Sequence, residues 1–174
     1  MGGVCAISEA LIELQERFNF KFDYYFIHKQ SYAAVMLFDA VFDAGMNEAV
    51  KWEWYWTPLR FPVVIALSMI ADEAALREAW ALKLTPSERI SEARDRIVAL
   101  LAALIERSES MVMDDRMREV VRDGLLYAKS NPLAVDFGTN IPKMLSPNAV
   151  GFQFVIASIA RHQKAASRKV LGIT

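Results

Sequence analysis

Val135-Asp136-Phe137-Gly138-Thr139-Asn140-Ile141-Pro142-Lys143-Met144-Leu145-Ser146-Pro147-Asn148 is the stretch on which the reading of this chain turns. Its polar residues Asp136, Thr139 and Asn140 follow no apolar period, which predicts a loop. Ser146-Pro147-Asn148 then signals a helix start: Ser146 can cap free amides, and Pro147 brings a preset φ and no N–H to leave unpaired. The following helix carries Val150, Phe152, Phe154, Val155, Ile156 and Ile159, apolar almost all round, the pattern of a helix packed on several sides. A polar loop feeding a buried helix is a place where a site can form.

Residues 20–28 show a different period. Phe20, Phe22, Tyr24 and Phe26 alternate with Lys21, Asp23, Tyr25 and Ile27, which predicts a strand with one buried face. A helix over residues 8–18 precedes it, with Ile7, Leu11, Leu14 and Phe18 on its inward side. Residues 169–174 read as a last strand, and Lys51-Trp52-Glu53-Trp54-Tyr55-Trp56-Thr57-Pro58, with alternating tryptophans, as a short strand or an extended loop. Between these lie helical patterns: residues 32–44, capped by Ser31 and closed by Gly45; one begun by Thr57-Pro58; one begun by Asp72. Thr85-Pro86-Ser87-Glu88 forms a capping box ahead of a long helix to about residue 108, and Asp114 or Asp115 caps a helix stopped by Asn131-Pro132. The expectation is a mainly α, α+β chain: a helical bundle with two or three short strands. Two short strands make no stable sheet alone, so the edge of the 20–28 strand predicts pairing with another chain, as a homodimer or with a missing core partner.

The chain has 174 residues, enough for one domain with a substantial core, and 54% hydrophobic content against 24% charged excludes a disordered tail. Net charge is −1, so no global field draws it to nucleic acid or membrane. Its distribution is uneven: residues 137–174 have no Asp or Glu but carry Lys143, Arg161, Lys164, Arg168 and Lys169. Arg161, Lys164, Arg168 and Lys169 are therefore candidates for contact with nucleic-acid phosphates, or simply complement a helix dipole. One cysteine and two histidines leave little for a zinc site, and a start without a basic, then apolar, leader predicts a cytoplasmic protein.

Asp39 and Asp43, four apart, share a helical face and could hold a divalent cation such as Mg2+; the plainer reading is two solvated side chains. With Asp136, Asn140 and Asn148 they would form an oxygen-rich cluster. His28-Lys29 follows the predicted strand directly, where sites of α/β proteins often lie. No nucleophile elbow, phosphate-binding loop or dinucleotide glycine pattern is present.

Several blocks resemble the longer members of domain-of-unknown-function family 3800, bacterial and phage proteins. These are Phe22-Asp23-Tyr24-Tyr25, His28-Lys29, Phe38-Asp39-Ala40-Val41-Phe42-Asp43-Ala44-Gly45-Met46-Asn47, Tyr55-Trp56-Thr57-Pro58-Leu59-Arg60, and Ser146-Pro147-Asn148 with Gly151-Phe152-Gln153-Phe154. The resemblance implies an RNase H-like core with a helical insertion: residues 31–131 as the insertion, 1–30 and 132–174 as a partial α/β core, within a single domain of 1–174. It also implies departures. Family members open with strands bearing an Asp-Glu-Ser type motif and continue into an Asp-Gln segment, and neither is present here. The metal-binding carboxylates of such a nuclease would then be mostly missing. The expected function is a non-catalytic, partial or truncated RNase H-like domain acting by binding nucleic acid or protein, with no cofactor. The alternatives are a metal-dependent nuclease around Asp39, Asp43 and Asp136, using Mg2+, and a purely structural helical module.

Overall fold

A computed structural model describes residues 2–18, 26–140 and 147–166, with side chains over 8–18, 26–140 and 151–161. Among the described residues the chain forms eight α-helices: α1 (Gly2–Phe18), α2 (Lys29–Val41), α3 (Trp52–Trp56), α4 (Arg60–Ile70), α5 (Glu73–Lys83), α6 (Arg94–Ser110), α7 (Asp115–Ser130) and α8 (Pro147–Ala166). A 3-10 segment, Ser87–Ala93, leads into α6. Two compact units result, one of residues 1–26 and 150–174, the other of residues 27–149.

The larger unit is built around α2, which packs against α4, α5 and α7, while α6 packs on α5 and α7. Phe38, Phe42, Leu37, Leu67, Leu82, Ile97, Leu101, Leu104 and Leu125 are its fully buried large side chains. Local signals set its helix starts. Asp72 accepts from the Ala75 amide at 2.8 Å and Asp114 from the Met117 amide at 3.0 Å, each satisfying a donor that the first turn leaves open. The cap of α2 is His28, which accepts from the Ser31 amide at 3.3 Å, and not Ser31, whose hydroxyl lies 2.9 Å from the same imidazole nitrogen. The capping box at Thr85–Glu88 does not form. The Thr85 hydroxyl turns back to the Ala81 carbonyl at 3.0 Å, and residues 87–93 wind as the tighter 3-10 helix.

The expected α+β class is overturned. Among the described residues there is no strand, and the only extended pairing is an isolated parallel bridge between Pro86 and Thr139. Residues 52–56 are a helical turn in which Trp54 is buried while Trp52 and Trp56, one turn apart, face outward. Tryptophans at every second position mimic the period of a strand, but in a single helical turn the first and third fall on one side and the second opposite. The strand expected over residues 20–28 falls mostly on residues outside those described; Phe26, Ile27 and His28 are irregular. The strand at 169–174 lies wholly outside the described residues. The dimer expected through the edge of the 20–28 strand falls on the same residues, mostly outside those described.

The helix α8 also departs from expectation. Phe152 is 60% and Phe154 48% exposed, and Val155 and Ile156 are exposed as well. On α1, Leu11, Leu14 and Phe18, expected inward, are likewise exposed. Apolarity states what burial would gain, not which surface is there to provide it.

Gly124 of α7 lies against Phe42, and a Cβ built there would meet the ring Cε1 at 2.5 Å. Gly→Ala inside a helix ordinarily stabilises by about 0.5–1 kcal/mol. Here the ring is fully buried and cannot swing to solvent. Gly124→Ala is expected to destabilise by about 1–3 kcal/mol in chemical denaturation, the cost of overpacking. A stabilised variant would show that α7 can withdraw from α2 at no cost.

Candidate functional site

Three of the polar residues singled out in the sequence, Asp39, Asp43 and Asp136, meet at the C-terminal end of α2, though not as a free carboxylate cluster. Asp39 accepts a 2.8 Å hydrogen bond from Arg60 Nη2. Arg60, at the start of α4, lies over the Phe38 ring at 5.1 Å and the Tyr55 ring at 5.7 Å, so one guanidinium serves a carboxylate and two aromatic faces. Phe38 stacks on Tyr55 at 5.7 Å and on Phe42 at 5.6 Å. Burial raises the Asp39 pKa above the usual carboxylate value, with Arg60 and Lys83 pulling against it and Asp43 adding to it. Burial, then the negative charge of Asp39, raises the phenols of Tyr55 and Tyr32.

Asp136 is held from both ends. Its amide donates to the Ala40 carbonyl at 2.9 Å. Lys83, nearly buried at the end of α5, donates to the Asp136 carbonyl at 2.6 Å and also to its carboxylate. The loop around it is anchored too, with Val135 and Phe137 in the core and the Thr139 amide on the Thr85 carbonyl at 2.8 Å. Gly138, at φ 90, takes a conformation that other residues rarely adopt, and a Cβ built there would meet that same carbonyl at 3.3 Å. Alternation of Val135 and Phe137 was the overlooked signal that this loop is pinned. Asp43 accepts from the Gly45 amide at 2.8 Å and so shapes the turn after α2.

Asp39, Asp43 and Asp136 are thus near one another, but each is engaged, two of them by cations. A hard divalent ion needs several carboxylate oxygens free to converge on one point. Among the described residues no three His, Cys, Asp or Glu side chains do so. The donor set does not fit Mg2+. Asn140 is exposed at the far end of the loop, Asn148 lies in the first turn of α8, and Arg161 is exposed on α8. Lys164 is in the last turns of α8, while Arg168 and Lys169 fall outside the described residues.

Two further features were not singled out in the sequence. A groove of about 530 Å³ lies where the first turns of α2 and α5 meet, lined by Lys29, Gln30, Ala33, Leu76, Arg77 and Trp80 with Glu73. The outer sides of α3 and α4 expose Trp52, Trp56, Leu59, Phe61, Ile65 and Met69. The spacing of Phe61, Ile65 and Met69, one turn apart each, was the available signal for the second. No described helix is long and apolar enough to cross a membrane.

Compared with known proteins, the chain matches no family model, no curated protein and no solved structure.

Asp136→Ala strips the partner carboxylate from a nearly buried ammonium and is expected to cost about 1–3 kcal/mol in denaturant unfolding, whereas exposed Asn140→Ala stays within about 0.5 kcal/mol. Equal, small losses would mean that the loop is not held by the Lys83 pair. The pH dependence separates two aspartates of opposite environment. Asp39 binds its proton more tightly folded than unfolded, so the stability of the native chain relative to Asp39→Asn should fall as pH rises from the ordinary value of 3.8 through the raised one. Asp72 is lowered by its hydrogen bond from Arg107, then by that from Ala75, so its contribution is complete above 3.8 and lost as pH falls through its folded value. Urea unfolding of Asp39→Asn and Asp72→Asn, each compared with the native chain on its own side of pH 3.8, should give difference curves of opposite slope. Parallel slopes would contradict the assigned environments.

Proposed function

We propose that the chain acts by binding rather than by catalysis, and that the partner is a second copy of the chain seated on the outer face of α3 and α4. The observation that carries this reading is the exposed apolar surface on two helices that are consecutive and packed together. Trp52, Trp56, Leu59, Phe61, Ile65 and Met69 are each at least 40% exposed. At roughly 200 Å² for side chains of this size, they leave on the order of 700 Å² of apolar surface in water. A monomer's largest apolar patch is about 300–600 Å², while a stable complex covers about 800 Å² on each partner.

The chemistry of the face favours a copy of itself. None of the six exposed residues is charged, and no charge occurs from Phe61 to Ala71. Phosphates would find only Lys51 beside Trp52 and an Arg60 already given to Asp39, so nucleic acid is the poorer partner for this surface. An apolar stripe with one-turn spacing suits ridge-into-groove packing against an identical helix across a two-fold axis. The resemblance to family 3800 is compatible with a module that binds and does not cleave. The nuclease alternative asks for carboxylates that here are given to Arg60 and Lys83.

Light scattering of the purified chain should show a concentration-dependent dimer at micromolar concentrations, and Phe61→Glu with Ile65→Lys should leave a monomer with unchanged far-ultraviolet circular dichroism. Both positions are exposed, so the double variant is expected to fold. A monomer throughout the micromolar range overturns the proposal. So does a native chain that stays monomeric but floats with neutral phosphatidylcholine vesicles, which would assign the face to lipid.

A further inference from the structure

We propose that the groove between α2 and α5 is a binding site for a small planar monoanion, its ring lying on Trp80 and its negative charge held by Lys29. The groove is separate from the α3–α4 face, and nothing in this inference depends on the dimer.

Its volume, about 530 Å³, falls within the roughly 300–1,000 Å³ typical of small-molecule sites and exceeds what a bare inorganic anion would fill. Ala33, Leu76 and Trp80 supply an apolar wall. Trp80 is half-buried and braced by Tyr32, whose ring meets it edge-on at 5.3 Å and 71°, so the indole is already set before a ligand arrives. A preset aromatic plane costs little to order on binding, and stacking on it tolerates many ring types.

The charged rim selects the sign of the ligand. Lys29 and Arg77 contribute two positive charges and Glu73 one negative, leaving one net positive charge at the mouth. Glu73 already accepts from Arg77 Nε at 3.0 Å and Nη2 at 2.6 Å, so its carboxylate is balanced within the wall, and Lys29 is the charge left to be met. Gln30 adds an amide that can donate and accept. A recess of about 250 Å³ opens from the same residues, sharing Gln30, Glu73 and Leu76, and reaches Ser31, Ser68 and His28. The ligand class that meets all of these is a one- or two-ring aromatic bearing a single carboxylate or equivalent anion.

Isothermal titration of the whole chain with 2-naphthoate tests this, with uncharged 2-naphthylmethanol as the matched probe. Saturable one-to-one binding of 2-naphthoate is expected, weakened about tenfold by loss of a charge-assisted contact in Lys29→Gln. The alcohol should bind more weakly than the carboxylate to the native chain and equally to Lys29→Gln. Trp52→Ala, on the exposed α3 face, should leave the affinity unchanged. Lys29 and Trp52 are exposed, so neither substitution threatens the fold. The proposal is overturned by an absence of saturation at millimolar ligand. It is equally overturned by an affinity indifferent to Lys29→Gln, or by one lost with Trp52→Ala, which would mark nonspecific adhesion to the apolar face.

Discussion

The larger unit depends on how the C-terminal end of α2 is closed. A helix leaves its last carbonyls without intrahelical donors, and in a buried helix these must be met by something other than water. Here two come from outside the helix: the Ala40 carbonyl takes the Asp136 amide at 2.9 Å, and that of Val41 the Asn47 side chain at 2.7 Å. Asn47 is fully buried and its amide also donates to the Gly124 carbonyl at 2.9 Å, so one side chain ties the end of α2 to the middle of α7. Where these carbonyls are satisfied fixes the positions of the turn after α2, of α7 and of the loop beyond it.

The polar groups around that end obey the same constraint. Asp39 is unfavourably buried and kept there by Arg60; Lys83 is nearly buried and kept there by Asp136. Breaking either pair would leave a charge in a poor environment, which makes the arrangement specific for one packing even though each pair adds little net stability. The Phe38–Asn47 and Tyr55–Arg60 blocks supply Phe38, Asp39, Tyr55 and Arg60 to one contact, so these two stretches act as one physical unit.

What could be read in advance follows the range of the interactions. Asp72 and Asp114 were legible as caps because the amides they bind lie three residues away. Helices over α2 and α5 were legible from their apolar period, and α7 from its cap and its Asn131-Pro132 stop. The strands were not: aromatic alternation at Trp52, Trp54 and Trp56 has the same letters whether the backbone is extended or makes one helical turn. In the candidate site, Asp39, Asp43 and Asp136 stood out as polarity without a period, but their role turns on Arg60 and Lys83, 21 and 53 positions away from Asp39 and Asp136 respectively. The groove was illegible for a related reason. His28-Lys29 stood out only as the end of an expected strand, Arg77 drew no notice and Trp80 read as an apolar-face residue, and only the packing of α2 on α5 brings Lys29, Arg77 and Trp80 to one wall.

The closure of α2 has a consequence for the order of events on the ribosome. α2 is made early, but the Gly124 carbonyl that shares Asn47 emerges 77 residues after it, and the Asp136 groups that hold Lys83 come 53 residues after that lysine. Until then the nascent chain carries a helix with open carbonyls and an ammonium with no counter-charge. Contacts of such long sequence separation form late, because loop closure must precede their gain. At elongation rates of about 5–20 residues per second, that interval lasts several seconds. The unit from 27 to 149 therefore completes itself only near its own end, and a ribosome that stalls between α6 and the loop at Asp136 holds a chain whose central helix is made but not yet sealed.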